Sequence, residues 1–406
     1  MKKIYWTCLL VLGIFVLTGF KVQADNIVVV IDPGHGGSNL GAEIDGRIEK
    51  DMNLKVAKAM YKHLSLYEGV DVYLTHEEDE GLSLKKRAEI AESLGADYLI
   101  SLHFNAAEYH QFYGTECWVP YDDFYEEAYE AAAYFQDELV GIGLYNRGIK
   151  TRLNEEGDNY YGIIREAERL DIPCVLVEHC HLDNKNDAGY YETDEKLEKL
   201  GELDAQAMAK FLGLKSKRFG VDYSDYSLDV TIPLSENTRD KTGPSNCVLT
   251  VKEYNQETGE VTLILTARED ESRLLYYDYS FDGGVTFSER FSLLYEKVEF
   301  SFVMEDGITP KLIARAYSLN DASTESNQIV LEPVTYPVED AVNQMSLQEM
   351  EREKNRQRFR TFLIASVCII ILCFMIVSTF YVVKSIQNSK KRKRKLQELK
   401  RRQMLK

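Results

Sequence analysis

"VVVIDPGHGG" occupies residues 28–37. Its apolar run ends at Asp32, and Pro33 and three glycines then surround His35. A short Val/Ile-rich run reads as a strand buried on both faces, as in a parallel sheet. A glycine loop after such a strand can cradle a phosphate, present a metal ligand, or simply turn. The stretch by itself leaves these three readings open.

Working outward, the buried strand covers 27–31, and helical periodicity follows over 49–66, with apolar Met52, Val56, Met60 and Leu64 on one face. Strands are predicted over 70–75, 97–106 and 172–179, and helices over 82–95, 124–144 and 194–214. Strands and helices alternating at this spacing predict an α/β domain over 25–215, with a mostly parallel twisted sheet flanked by helices. From 222 to 335 short alternating runs such as "GEVTLILTARE" replace the helices, which predicts a small all-β, Ig-like domain. Within it "SFDGGVTF" (280–287) fits an Asp-box pattern but occurs once, as expected of a glycine-rich hairpin turn.

The two ends read differently. Residues 1–24 resemble a secretory signal, with Lys2 and Lys3 before an apolar run; an uncleaved anchor is the rival reading. Residues 361–383 carry no charge over 23 positions, enough at about 1.5 Å per residue to span a core of about 30 Å as a single transmembrane helix. A charged juxtamembrane stalk over 336–360 leads into it. The tail 384–406 holds eleven Lys or Arg against one Glu, so the positive-inside rule puts it in the cytoplasm and the body outside.

Net charge is −18; the tail carries +10 and the first 24 residues +3, which leaves −31 on residues 25–383. Such an acidic body argues against a nucleic-acid partner. Four of the seven cysteines fall in the body, at 117, 174, 180 and 247, with no CxxC pair, so neither a zinc knuckle nor a disulfide scaffold is indicated.

Ligands of open α/β sheets gather beyond the carboxyl ends of the strands. His35 follows the first strand, His103 and Glu178 close later strands, and Glu49 opens the first helix. Two histidines and two glutamates at one sheet edge suit a single Zn²⁺. His35, Glu49 and His103 would be its ligands, and Glu178 the general base. Each also has a structural reading: His35 as a turn residue, His103 as a satisfied strand end, Glu49 as a charge at a helix N-terminus. Glu178 resists that treatment, because a charge after five apolar residues needs a partner.

The stretches "IDPGHGGSNLGAEIDGRIEKDMNL", "LISLHFNA", "GTECWV" and "IIREAERLDIPCVLVEHCHLDN" closely resemble zinc-dependent N-acetylmuramoyl-L-alanine amidases of the amidase-3 family, over roughly residues 26–214. The resemblance implies an amidase-3 type fold. It also implies zinc on His35, Glu49 and His103, catalysis by Glu178, and substrate contacts by Asn105 and Arg165. His76 stands where the family usually has arginine, and "HCHLDN" departs from the usual pattern after the catalytic glutamate. His179 and His181 raise the question of a second metal, but two ligands are too few.

The implied activity is hydrolysis of the amide between N-acetylmuramic acid and L-alanine in peptidoglycan, by a membrane-anchored enzyme facing the cell wall. The alternatives are a non-catalytic or autoinhibited wall-binding scaffold, and a zinc peptidase acting within the stem peptide. The β domain offers a surface for a protein partner.

Overall fold

The computed structural model describes residues 26–107, 111–305, 307–335 and 354. The expected signal (1–24), membrane span (361–383) and basic tail (384–406) lie outside the described residues, as does the stalk apart from Lys354. Among the described residues no helix is long and apolar enough to cross a membrane.

Six strands build the main sheet: β1 (Ile27–Pro33), β2 (Val70–Leu74), β3 (Tyr98–Asn105), β4 (Thr115–Trp118), β5 (Asn146–Lys150) and β6 (Cys174–His181). Their spatial order is β2-β1-β3-β6-β4-β5. All neighbours run parallel except β4 against β6. The expected sheet is therefore mixed at one side, because β4 and β5 were not foreseen as strands. β4 has four residues and β5 has five, and both carry charges, so neither shows an apolar period.

Helices α1 (Glu49–Leu64), α2 (Leu84–Ser93), α3 (Tyr125–Gly141), α4 (Gly162–Glu168) and α5 (Asp194–Phe211) cover the sheet. Ser83 caps α2 and Thr193 caps α5, each accepting from a backbone N–H three residues on. Side chains of β1 alternate between layers. Val29 and Ile31 join the core built with α1, α3 and α5, and Val30 joins the core built with α2 and α4. Burial on both faces is why this strand reads as an unbroken apolar run. Cys117, Cys174, Cys180 and Cys247 are all buried and free.

The second half is all-β and antiparallel. Strands β7 (Asn246–Tyr254), β8 (Glu260–Arg268), β9 (Leu274–Ser280), β10 (Phe291–Ser292), β11 (Lys297–Val303), β12 (Lys311–Ser318), β13 (Ser323–Glu325) and β14 (Ile329–Val330) form two sheets. One has the order β7-β8-β11; the other is β10-β9-β12-β13, with β14 beside β12. In the 280–287 turn, Asp282 accepts from the backbone N–H of Val285 and Thr286 and from the Thr286 hydroxyl. The motif satisfies itself, as a hairpin turn would.

Contacts divide the chain into two compact units. Of the described residues, one comprises those within 26–254, 261–302 and 309–332, and the other those within 255–260, 303–308 and 333–335, with 354. Within the first unit the β half docks on the α/β half. The Tyr276 hydroxyl donates to Tyr113 O at 2.6 Å, Arg273 donates to Asn146 O at 2.7 Å, and Tyr276 and Tyr317 pack with Phe112, Tyr113 and Tyr145.

Helices α1 and α5 meet at Gly201, where a Cβ would lie 2.4 Å from Val56 O and 2.8 Å from Met60 N. Gly201→Ala is therefore expected to lower the unfolding free energy by about 1–3 kcal/mol through overpacking. Urea denaturation checks this; an unchanged midpoint would show that the helices separate freely.

Candidate active site

The His35 loop is held from behind. Arg87 of α2 is buried and donates to Asp32 Oδ1 at 2.7 Å, to Pro33 O at 2.6 Å, and to His35 O. Asp32 also accepts from the hydroxyls of Thr75 (2.7 Å) and Ser101 (2.9 Å). One buried ion pair thus ties three backbone and side-chain groups of the β1 exit to α2. His35 itself has a left-handed backbone, φ 65°, which is costly for a residue with a Cβ and persists only where the surroundings impose it. Gly34 has no alternative either, since a Cβ there would sit 2.2 Å from the His103 ring.

Three side chains converge in front of this loop. His35 Nε2 and His103 Nδ1 each lie 3.0 Å from Glu49 Oε1. The three ligand atoms all fall within 4.8 Å of one another, the one such grouping of His, Cys, Asp and Glu among the described residues. Glu49 Oε2 accepts from Ala42 N at 2.8 Å, and Asn39 Oδ1 lies 3.0 Å from His35 Nδ1. Burial pushes the Glu49 carboxyl up, but the bonds from His103 and His35 outweigh it and hold it well below the usual carboxylate range. Two imidazoles and one carboxylate, with His35 oriented by Asn39 and Glu49 by Ala42 N, form a donor set suited to zinc.

Sheet register supplies the fourth residue. His103 on β3 is paired with Glu178 on β6, and Glu178 with Glu116 on β4. Paired residues in adjacent strands share a face, so one row carries a ligand and two carboxylates. Glu178 is buried and its Oε2 has no hydrogen-bond partner. Burial, with Glu49 and Glu116 nearby, raises its pKa well above the ordinary range, and Arg147 opposes this. Glu116 is the opposite case. Arg147 Nε and Lys150 Nζ bind its Oε2 at 2.8 and 2.7 Å, and these two cations outweigh burial and keep it ionised. A residue of the β half, Asp321, lies 2.9 Å from Arg147. Glu116, Arg147, Lys150 and Asp321 were missed in the sequence. A charge inside "TECW" and two in "NRGIK" were the available signals, hidden by the shortness of both strands.

Asn105 donates to Glu116 Oε1 at 2.8 Å, at the edge of a cleft also lined by Trp118 and Tyr161. Arg165 spends its guanidinium on the carbonyls of Asn159 and Tyr160, which fixes the loop preceding Tyr161. His76 is buried against Thr75, its pKa lowered by burial and by Arg87. His179 bridges His103 O and Asp204 at 2.9 Å each, whereas His181 faces Gly114 O, so the two serve different partners.

A family model described as N-acetylmuramoyl-L-alanine amidase, Amidase_3, matches residues 29–210, which include His35, Glu49, His103 and Glu178. The endolysin of Bacillus phage SPP1 is 30% identical over 197 residues, 48% of this chain and 69% of that protein. The N-acetylmuramoyl-L-alanine amidase CwlM of Bacillus licheniformis is 31% identical over 195 residues, 46% of this chain and 70% of that one. A crystal structure of N-acetylmuramoyl-L-alanine amidase from Clostridium difficile 630 shares 29% identity, covers 47% of this chain and 98% of its own, and gives a TM-score of 0.42.

Removing one partner of a buried pair strands the other charge, so Arg87→Leu is expected to cost about 3–5 kcal/mol of stability. Urea unfolding reads it. A loss under about 1 kcal/mol would mean that Asp32 keeps its place without Arg87.

Proposed function

We infer that this chain, which belongs to the Amidase_3 family of N-acetylmuramoyl-L-alanine amidases, hydrolyses the amide between the lactyl group of N-acetylmuramic acid and L-alanine in peptidoglycan. The observation that carries the reading is the His103–Glu178 register pair. It sets a buried carboxylate with an unpartnered oxygen beside His35, Glu49 and His103.

One Zn²⁺ fits these residues, and His35, Glu49 and His103 would hold it. Bound there, zinc supplies a Lewis acid that polarises a carbonyl and makes water more acidic. Glu178 takes the proton from the attacking water through its free oxygen and returns it to the departing alanine amine. Glu116, neutralised by Arg147 and Lys150, adds no second base to the row. Asn105, fixed on Glu116, borders the cleft in which the substrate lies. Arg165 acts through the loop it braces.

The reaction takes place outside the cytoplasmic membrane. The signal-like residues 1–24, the uncharged 361–383 and the basic tail support a single-pass anchor with the catalytic half facing the wall. Tethering would restrict cleavage to peptidoglycan within reach of the membrane.

Full-length protein with zinc and purified peptidoglycan is expected to release stem peptides with new L-alanine amino termini, identified by mass spectrometry. Glu178→Gln should lower kcat at least about a hundredfold while metal analysis still finds one zinc per chain. Activity retained in that variant would remove Glu178 from the reaction. Absence of products from a zinc-loaded wild type would replace the enzyme by a wall-binding scaffold.

A further inference from the structure

Beside Glu116 the two halves enclose a cleft of about 460 Å³. Five cations line it, Arg147, Lys150, Arg152, Arg239 and Lys241, against three carboxylates, Glu116, Asp240 and Asp321. Glu116 and Asp321 are taken up by Arg147 and Lys150. Asp240 is buried and turned into its own segment, accepting from Thr242 N at 2.8 Å and from the Ser272 hydroxyl at 2.9 Å. Among the described residues Arg152, Arg239 and Lys241 have no carboxylate partner. That is unexpected where residues 25–383 carry −31, because acidic neighbours are abundant. Glu155 and Glu156 line only the adjoining outer rim, beside Arg152 and Lys241.

The cations are also placed in advance. The Arg239 guanidinium lies 4.8 Å over the Tyr121 ring, and that of Arg152 lies 3.7 Å over Tyr160. Stacking fixes the guanidinium plane and leaves its N–H edge available for an anion. The segment bearing Arg239 is pinned on both sides, since Thr238 O accepts from Thr151 N at 3.2 Å and from Asn320 Nδ2 at 3.0 Å. Two guanidiniums held by stacking, with Lys241 exposed beside them and none of the three in an ion pair among the described residues, offer a site for a carboxylate.

We propose that Arg152, Arg239 and Lys241 bind a carboxylate of the peptide stem, so that the segment joining the two halves selects acidic over amidated stems. The proposal rests on the amidase reading for the identity of the peptide. The cleft is lined by Glu116, which is paired in the sheet with Glu178, and so adjoins the row that carries the proposed base. A glycan strand, being uncharged there, has no use for the three cations. Arg152 lies within the residues matched to the family, 29–210, whereas Arg239 and Lys241 lie beyond them.

The test needs no turnover. A fluorescein-labelled stem peptide with free carboxylates is titrated against full-length protein by polarisation, alongside its carboxamide twin. Wild type is expected to bind the acid at least about tenfold tighter, the value of one charged hydrogen bond. In Arg239→Gln/Lys241→Gln the two peptides should become equivalent. Lys241→Glu, at an exposed position that folding tolerates, should shift preference toward the carboxamide. Equal binding of both peptides by wild type, or discrimination surviving in both variants, would overturn the site. Inorganic phosphate displacing the acid peptide at lower concentration than the peptide itself would overturn the peptide in favour of a phosphate ligand. Discrimination without cleavage of any muramoyl peptide would leave the site standing and remove the amidase reading; cleavage without discrimination would do the reverse.

Discussion

Three carboxylates gathered in one poorly solvated region repel one another, and the centre of this molecule is organised around answering that repulsion. Glu49, Glu178 and Glu116 are all buried. Glu49 is answered by two imidazoles, and Glu116 by a guanidinium and an ammonium. Glu178 alone receives no direct cation and keeps one oxygen free. The asymmetry gives three chemically identical side chains three different settings: one between two imidazoles, one neutralised by two cations, and one with a free oxygen. Environment, not residue type, distinguishes them.

Much of this arrangement was legible in the sequence. β1, β3 and β6 are seven or eight residues of mostly apolar chain between amphipathic helices, so period and order predict a parallel core, and positions at or just beyond the strand ends bring His35, His103 and Glu178 to one edge. The antiparallel β4 and its neighbour β5 were not legible. Glu116, Arg147 and Lys150 make those strands look like surface, because their burial is tolerable only once all are together. Asp321 is 174 residues from Arg147, and no local pattern records a partnership at that distance. The Ig-like expectation for the second half drew on alternation and on the spacing of turn residues. Alternation gives antiparallel strands facing a core but carries no information about which strands are neighbours.

The docking of the β half also depends on residues that hydropathy handles poorly. Tyr113, Tyr145, Tyr276 and Tyr317 bring large apolar rings together, and the hydroxyls of Tyr145 and Tyr276 bond across the contact. Gly148, at φ 90°, lets Leu319 approach β5 where a Cβ would come within 2.8 Å of it. A seam of this composition holds two halves in register while its centre still carries charge.

That charge has a bearing on inheritance. The stretch that matches the family model spans 29–210, whereas the ion cluster beside Glu178 is closed by Asp321. A recombination that moved the family unit alone would carry Arg147 and Lys150 into the interior with Glu116 as their single counter-ion. The β half therefore completes the charge balance of the α/β half, and the electrically self-contained span is longer than the span that matches the family model.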